Sequence, residues 1–249
     1  MKSMTASVAA FEEQGFQIIP AILQNSDCDR LISVVGAATS GRAGTRHLLA
    51  SPIVAEAARI IRSHPVVASL LTDRMQVVQC TLFTKSLSAN WLVAPHQDLS
   101  IPVHAQMDIP GWTGWSIKEG TLFVQPPVEV LEQLVAVRLQ LDPPAGRSGL
   151  LEVVPGSHAL GRLSSELVGR HASVDRVRCD VPRGGVVVMR PLLLHSSSKS
   201  TTALPRRVLH FLFGPSLPSG MRWAVEGHEC EASSADEPVS CFASFDMLN

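Results

Sequence analysis

His96 and Asp98 stand two residues apart in the tripeptide HQD. Side chains two positions apart leave the same face of a strand, with Cα atoms about 6.5 Å apart at roughly 3.3 Å of rise per residue. An imidazole and a carboxylate so placed reach one ion. His195 closes the apolar run 186–194, which only Arg190 and Pro191 interrupt, and offers a second imidazole. Two imidazoles and one carboxylate on one face of a metal are the donor set of non-haem iron(II) oxygenases, with coordination positions left open. The same donors hold zinc as a Lewis acid or water activator. Taken singly, each residue also has a plainer role: a solvated HxD, and a hydrogen-bonded histidine at the end of a core strand.

Arg206 lies eleven residues beyond His195. The intervening SSSKSTTALP is a polar loop leading into RRVLHFLF, a strand expected to lie antiparallel beside the one that carries His195. A guanidinium held there grips a carboxylate through two parallel charge-assisted hydrogen bonds, which a lysine cannot imitate. Ser197, two positions past His195, adds a hydroxyl donor; a strand-edge arginine at the surface is the plainer reading of Arg206. Trp91, shortly before HQD, is placed either at a pocket mouth or in the core. Gln79 on one strand, and Arg138 and Gln140 on another, form polar faces. Such faces are costly in a sandwich interior unless they line a wet cavity. They point to a site for a small polar or carboxylated substrate.

The elements that must position these residues are legible in outline. Residues 28–38 set Leu31, Val34 and Val35 on one helical face, behind the capping residues Asn25, Ser26 and Asp27. Residues 52–71 keep helical spacing through Ile53, Ala57, Ile60 and Ile61, and His64-Pro65 divides them into two helices. From Gln76 on, short runs rich in Val, Leu and Phe alternate with Pro and Gly: QVVQCTLF, LVAVRLQL, LLEVVPG, GGVVVMRPLLLH and RRVLHFLF. Short strands with turn signals between them suggest a sandwich or barrel and not βα units. Val135, Val137, Leu139 and Leu141 alternate with Ala136, Arg138 and Gln140, as in a strand with one face on an apolar core. The expected organisation is one domain over 1–249. A mainly helical layer covers 1–75, a β-core 76–214, and a strand or irregular tail 215–249.

Composition narrows the class. Twenty-one Lys and Arg against 22 Asp and Glu give a net charge of −1, with no basic block for nucleic acid or an anionic membrane. No apolar run approaches the roughly 20 residues of a membrane span. Glu12 and Glu13 interrupt any signal-like N-terminus. A cytoplasmic location is the resulting expectation, with no nucleic-acid or membrane partner. The five cysteines (Cys28, Cys80, Cys179, Cys230, Cys241) are odd in number and scattered, without C-x-x-C, so reduced thiols are expected. No G-x-S-x-G elbow is present for a serine hydrolase.

Taken in order, HQD at 96–98, LEVVPGSHALGRL at 151–163, MRPLLLH ending at His195, and Arg206 resemble the phytanoyl-CoA dioxygenase family. That family belongs to the Fe(II)- and 2-oxoglutarate-dependent oxygenases, and the resemblance runs from FEEQGFQIIPAIL to about Gly214. It implies a mainly β fold with flanking helices, a double-stranded β-helix or jelly roll. It also implies Fe(II) on His96, Asp98 and His195, 2-oxoglutarate held by Arg206 and Ser197, and O2 as the second co-substrate. Gln97 and Trp115 are implied as further co-substrate pocket residues. The expected reaction is hydroxylation of an unactivated C–H in a small molecule with release of succinate and CO2. Desaturation or ring formation are the variants, and the intact Asp98 argues against halogenation. Two other readings of the residues stay open: a zinc hydrolase on the same triad, and a non-catalytic jelly-roll module that binds a small ligand. The family name does not fix the substrate.

Overall fold

The computed structural model describes residues 2–38, 44–86, 90–143, 149–171, 173–201, 204–218 and 220–224. The chain begins with α1 (Lys2–Gln14), β1 (Phe16–Ile19), α2 (Asn25–Ala38) and β2 (Gly44–Thr45). Helices α3 (Pro52–Ser63) and α4 (Pro65–Leu70) follow, each with proline in its first turn, where the missing N–H is no loss. The break falls at His64-Pro65, as the sequence predicts. Next come β3 (Gln76–Lys85), β4 (Val93–His96), β5 (Ile101–Val103), β6 (Thr113–Lys118), β7 (Thr121–Gln125) and α5 (Val128–Leu131). The chain continues through β8 (Val135–Gln140), β9 (Leu151–Val153), α6 (Ser165–His171), β10 (Val177–Cys179), β11 (Val186–Met189), β12 (His195–Ser197) and β13 (Arg206–Gly214).

The strands form two principal sheets. One has the order β1-β11-β8-β13-β3-β2, the other β10-β9-β12-β4, and a small third sheet is β5-β7-β6. From β8 on, the chain passes back and forth between the two large sheets, with β8, β11 and β13 in one and β9, β10 and β12 in the other, the winding of a jelly roll. The alternation in β8 decides its two environments. Val135, Val137 and Leu139 join Leu209, Phe211 and Phe213 of β13 in a core shared with Val54, Ala57 and Ile61 of α3. The opposite face, with Ala136 and Arg138, looks between the sheets, where Val187, Met189, Leu151 and Val153 build the second core. Helices α1–α4 thus back the six-stranded sheet and leave its inner face to the site.

Two expectations about the strands are corrected. His195 does not end the strand of the run 186–194. That strand stops at Met189, the chain turns with Leu193 N–H donating to Arg190 C=O at 3.0 Å, and His195 opens β12 in the other sheet. Pro191 lacks a ladder donor and forces this break. The strand carrying Arg206 is not the neighbour of the one carrying His195. It pairs with β3 and β8 in the six-stranded sheet, so Arg206 faces His195 across the sandwich. Residues 215–218 and 220–224 are irregular apart from an isolated bridge between Val103 and Trp223, and the remainder of the expected tail lies outside the described residues. Cys28, Cys80 and Cys179 are buried reduced thiols; Cys230 and Cys241 lie outside the described residues. No helix among the described residues is long and apolar enough to cross a membrane.

Candidate active site

The antiparallel pairing of β4 with β12 sets His96 directly opposite His195. Their ring centroids are 4.2 Å apart. Beyond the end of β4, the Asp98 N–H donates to the Pro191 carbonyl at 2.9 Å, which tethers the aspartate to the turn preceding His195. Asp98 Oδ1 then stands 3.7 Å from His96 Nε2, and Oδ2 stands 3.8 Å from His195 Nε2. One donor atom from each of the three residues lies within 4.8 Å of the others, a spacing that one metal ion fits.

The hydrogen bonds choose the tautomers. His96 Nδ1 is 2.8 Å from the Ala94 carbonyl, and His195 Nδ1 is 2.8 Å from the Leu193 carbonyl. A carbonyl oxygen only accepts, so each Nδ1 carries its proton and each Nε2 presents a lone pair toward Asp98. Burial, aided by the neighbouring His96, pushes His195 down to about 3, so it is neutral as a ligand must be. Burial alone would raise the Asp98 carboxyl; His195, His210, His96 and Arg138 oppose it and hold the group at about 2.

A third imidazole adjoins the set but differs in kind. His210 Nε2 lies 3.8 Å from Asp98 Oδ2, while its Nδ1 is 3.2 Å from Arg138 Nη1. A guanidinium only donates, so Nδ1 is the acceptor and the proton sits on Nε2. His210 in this state points a donor, not a lone pair, at the metal site. Arg138 is fixed in turn by the Phe83 ring, 5.5 Å from its guanidinium carbon.

These groups open onto a cavity of about 140 Å3 between the sheets. Among its lining residues are Gln79, Trp91 and Arg138 of the residues singled out from the sequence, together with His96, Asp98, His195, Ser197 and Arg206. Arg206 donates from Nη1 to the Gly149 carbonyl. Gly149 has φ +72°, and a Cβ there would meet the Ser200 backbone at 3.3 Å, so this turn suits glycine. The Arg206 Nε is buried and has no hydrogen-bond partner. Burial, aided by Arg138, lowers the guanidinium to about 10, and it keeps its charge at neutral pH. A buried donor without an acceptor is costly, and an anion in the cavity supplies what it lacks. The donor set thus fits a divalent metal, and the arginine fits a carboxylate beside it.

Three of the sequence-predicted residues are elsewhere. Gln97 is 3% exposed and turned away from the cavity: its Nε2 donates to Gly161 and Leu192 carbonyls at 2.8 and 2.7 Å, and its Oε1 accepts from Leu163 N–H at 2.8 Å. The alternation that puts His96 and Asp98 on one face puts Gln97 on the other. Trp115 lies on β6, half-buried against the second core, and is not among the described residues that line the cavity. Gln140 shares the inner face of β8 but donates its amide to the Asp142 carbonyl at 3.0 Å and stays outside the cavity lining. The sequence reading missed Lys85 and gave Phe83 no role. Both continue the inward alternation of Gln79 and Thr81 along β3 and line the cavity.

A family model for phytanoyl-CoA dioxygenase (PhyH) matches residues 11–208. No curated protein matches the chain. Among solved structures, the non-heme alpha ketoglutarate dependent epimerase SnoN from nogalamycin biosynthesis superimposes with a TM-score of 0.67 at 16% identity, over 94% of this chain and 90% of that one. The carbocyclase SnoK from nogalamycin biosynthesis gives 0.62 at 14% identity, over 85% and 83%. HygX from Streptomyces hygroscopicus, solved with nickel and 2-oxoglutarate bound, gives 0.59 at 18% identity, over 85% and 87%. At these identities the likeness is one of fold, the jelly roll expected from the sequence.

Proposed function

The chain belongs to the phytanoyl-CoA dioxygenase family, and from that premise we propose that it is an Fe(II)- and 2-oxoglutarate-dependent oxygenase. It hydroxylates an unactivated C–H of a small polar or carboxylated molecule. His96, Asp98 and His195 hold the iron, and Arg206 with Ser197 holds the distal carboxylate of 2-oxoglutarate. When bound, the iron and 2-oxoglutarate supply the oxidising power: 2-oxoglutarate and O2 become succinate and CO2, and the second oxygen atom enters the substrate.

The chain's own residues orient and shield. The Ala94 and Leu193 carbonyls lock the two imidazoles with Nε2 inward. The Pro191 carbonyl fixes the Asp98 backbone. The Leu99, Ile101, Phe123, Leu134 and Leu151 side chains make part of the cavity wall apolar, which keeps competing water away. Arg138 and His210 place donors beside the metal position, where a carboxylated substrate finds partners.

The observation that carries the reading is the buried, unpartnered Nε of Arg206 in the same cavity as the His-Asp-His set. A zinc hydrolase has no use for that guanidinium, and Asp98 is the one carboxylate among the described cavity-lining residues, leaving no separate general base. Structural neighbours described as an epimerase and a carbocyclase make the outcome at the substrate carbon the open variable. The test is turnover under 18O2 with Fe(II), 2-oxoglutarate and a fractionated metabolite extract. Succinate carrying one 18O and a product 16 mass units heavier (18 with the label) are expected. Labelled succinate with a product two hydrogens lighter, or of unchanged mass, assigns desaturation, ring closure or epimerisation in place of hydroxylation. Hydrolysis products without succinate overturn the reading.

A further inference from the structure

Lys85 lines the cavity, and the proposed reaction as described gives it no task. It ends β3 and is 5% exposed. The β3–β13 register sets it directly opposite Arg206, so two long cationic side chains leave adjacent positions on one face of the sheet. Its Nζ donates to Ser197 Oγ at 2.8 Å and to the Ser198 carbonyl at 2.6 Å. An ammonium has three protons, so one remains beyond these two bonds. Lys85, Arg206, Ser197 and Trp91 all line the same cavity, with Nζ 5.9 Å from the centre of a Trp91 ring.

Among the described residues no carboxylate pairs with Lys85 or with Arg206. Asp142, the acid near Arg206, is engaged by the neighbouring Arg207 through Nε at 2.9 Å and Nη2 at 2.6 Å. Two buried like charges side by side, with no counter-charge, oppose folding. An anion bound between them removes that opposition, and the serine hydroxyl already tied to Lys85 is the one expected at the co-substrate carboxylate.

Resting on the 2-oxoglutarate reading of the cavity, we propose that Lys85 is a second binding residue for the distal carboxylate, which lies between the Lys85 ammonium and the Arg206 guanidinium. One carboxylate oxygen accepts from the guanidinium, the other from the ammonium and Ser197. The ladder between β3 and β13 sets the spacing of the two cations in advance, so little ordering remains on binding. The arrangement gives this chain a strong preference for 2-oxo acids that carry a distal carboxylate.

Optical titration of the anaerobic Fe(II) protein with 2-oxoglutarate and with 2-oxopentanoate, which lacks the distal carboxylate, tests the proposal without turnover. Lys85→Met weakens 2-oxoglutarate binding by about tenfold, the loss expected for one charged hydrogen bond. It leaves 2-oxopentanoate nearly unchanged, so the preference between the two acids shrinks; Lys85→Arg retains most of it. If Lys85→Met does not fold, Lys85→Gln carries the same comparison. Equal weakening for both acids, or an unchanged preference, overturns the proposal while the 2-oxoglutarate reading stands. Failure of the wild-type protein to bind either acid overturns both.

Discussion

Hydrogen-bond direction sorts three neighbouring histidines into two that present a lone pair and one that presents a donor. His96 and His195 have Nδ1 on carbonyls, whereas His210 has Nδ1 on Arg138. His96→Ala, Asp98→Ala and His195→Ala are therefore expected to weaken metal binding by on the order of a hundredfold or more, since each deletes a ligand. His210→Gln keeps a donor and changes it by less than about tenfold; calorimetric titration with Mn(II) separates the two classes. Gln97, a misread residue, makes a different prediction. Gln97→Ala strips partners from one buried and one half-buried carbonyl and from one N–H, and stability in urea falls by about 2–4 kcal/mol at roughly 1 kcal/mol or more per lost bond. Lys85 predicts a pH effect. Burial, then Arg206 of β13 and Arg138 of β8, lower its ammonium to about 8, with Ser197 of β12 and Trp91 the other groups against it. Because the neutral amine takes over above that value, 2-oxoglutarate affinity falls as pH rises through about 8, and Lys85→Arg flattens the profile. The sign for the free protein is opposite. A lysine lowered in the fold binds fewer protons than the unfolded chain between about 8 and 10.5, so its contribution to stability rises with pH across that window.

Strands and helices were legible where one period ran long enough. The alternation in 134–141 and the helical spacing interrupted at His64-Pro65 are local signals, and β8, α3 and α4 stand where they indicate. Strand partnership is not local. An unbroken apolar reading of 186–194 conceals that Pro191 sends the chain to the other sheet, and a loop after His195 says nothing about which strand β13 will join. Four-residue β1 and the third sheet carry too little pattern to register. For Gln97 the alternation was sound, and it was the family resemblance that pointed it inward. The layered arrangement predicts separable effects. Ile61, fully buried between α3 and the six-stranded sheet, lies on the side away from the cavity. Ile61→Ala is expected to cost about 2–4 kcal/mol of stability, read by denaturant unfolding, while metal affinity of the folded protein is unchanged.

At the scale of the molecule, a chain of net charge −1 gathers Lys85, Arg138 and Arg206 around a cavity where Asp98 is the one carboxylate among the described lining residues. Average charge and composition therefore carry no trace of the site, which exists only after the two sheets face each other. The concentrated positive charge makes ligands part of the fold's stability. A bound metal and 2-oxoglutarate, each at a hundredfold excess over its dissociation constant, contribute about 2.7 kcal/mol apiece. A rise in thermal midpoint of roughly 10 °C follows for a chain of this size, and Arg206→Ala removes the 2-oxoglutarate part. The most direct measurement is anomalous diffraction from anaerobic crystals grown with Mn(II) and 2-oxoglutarate. One manganese peak bonded to His96 Nε2, Asp98 and His195 Nε2, with continuous density running from it to Arg206, is the predicted result. A peak that takes His210 in place of either histidine, or a dicarboxylate lodged away from Arg206, would contradict the account.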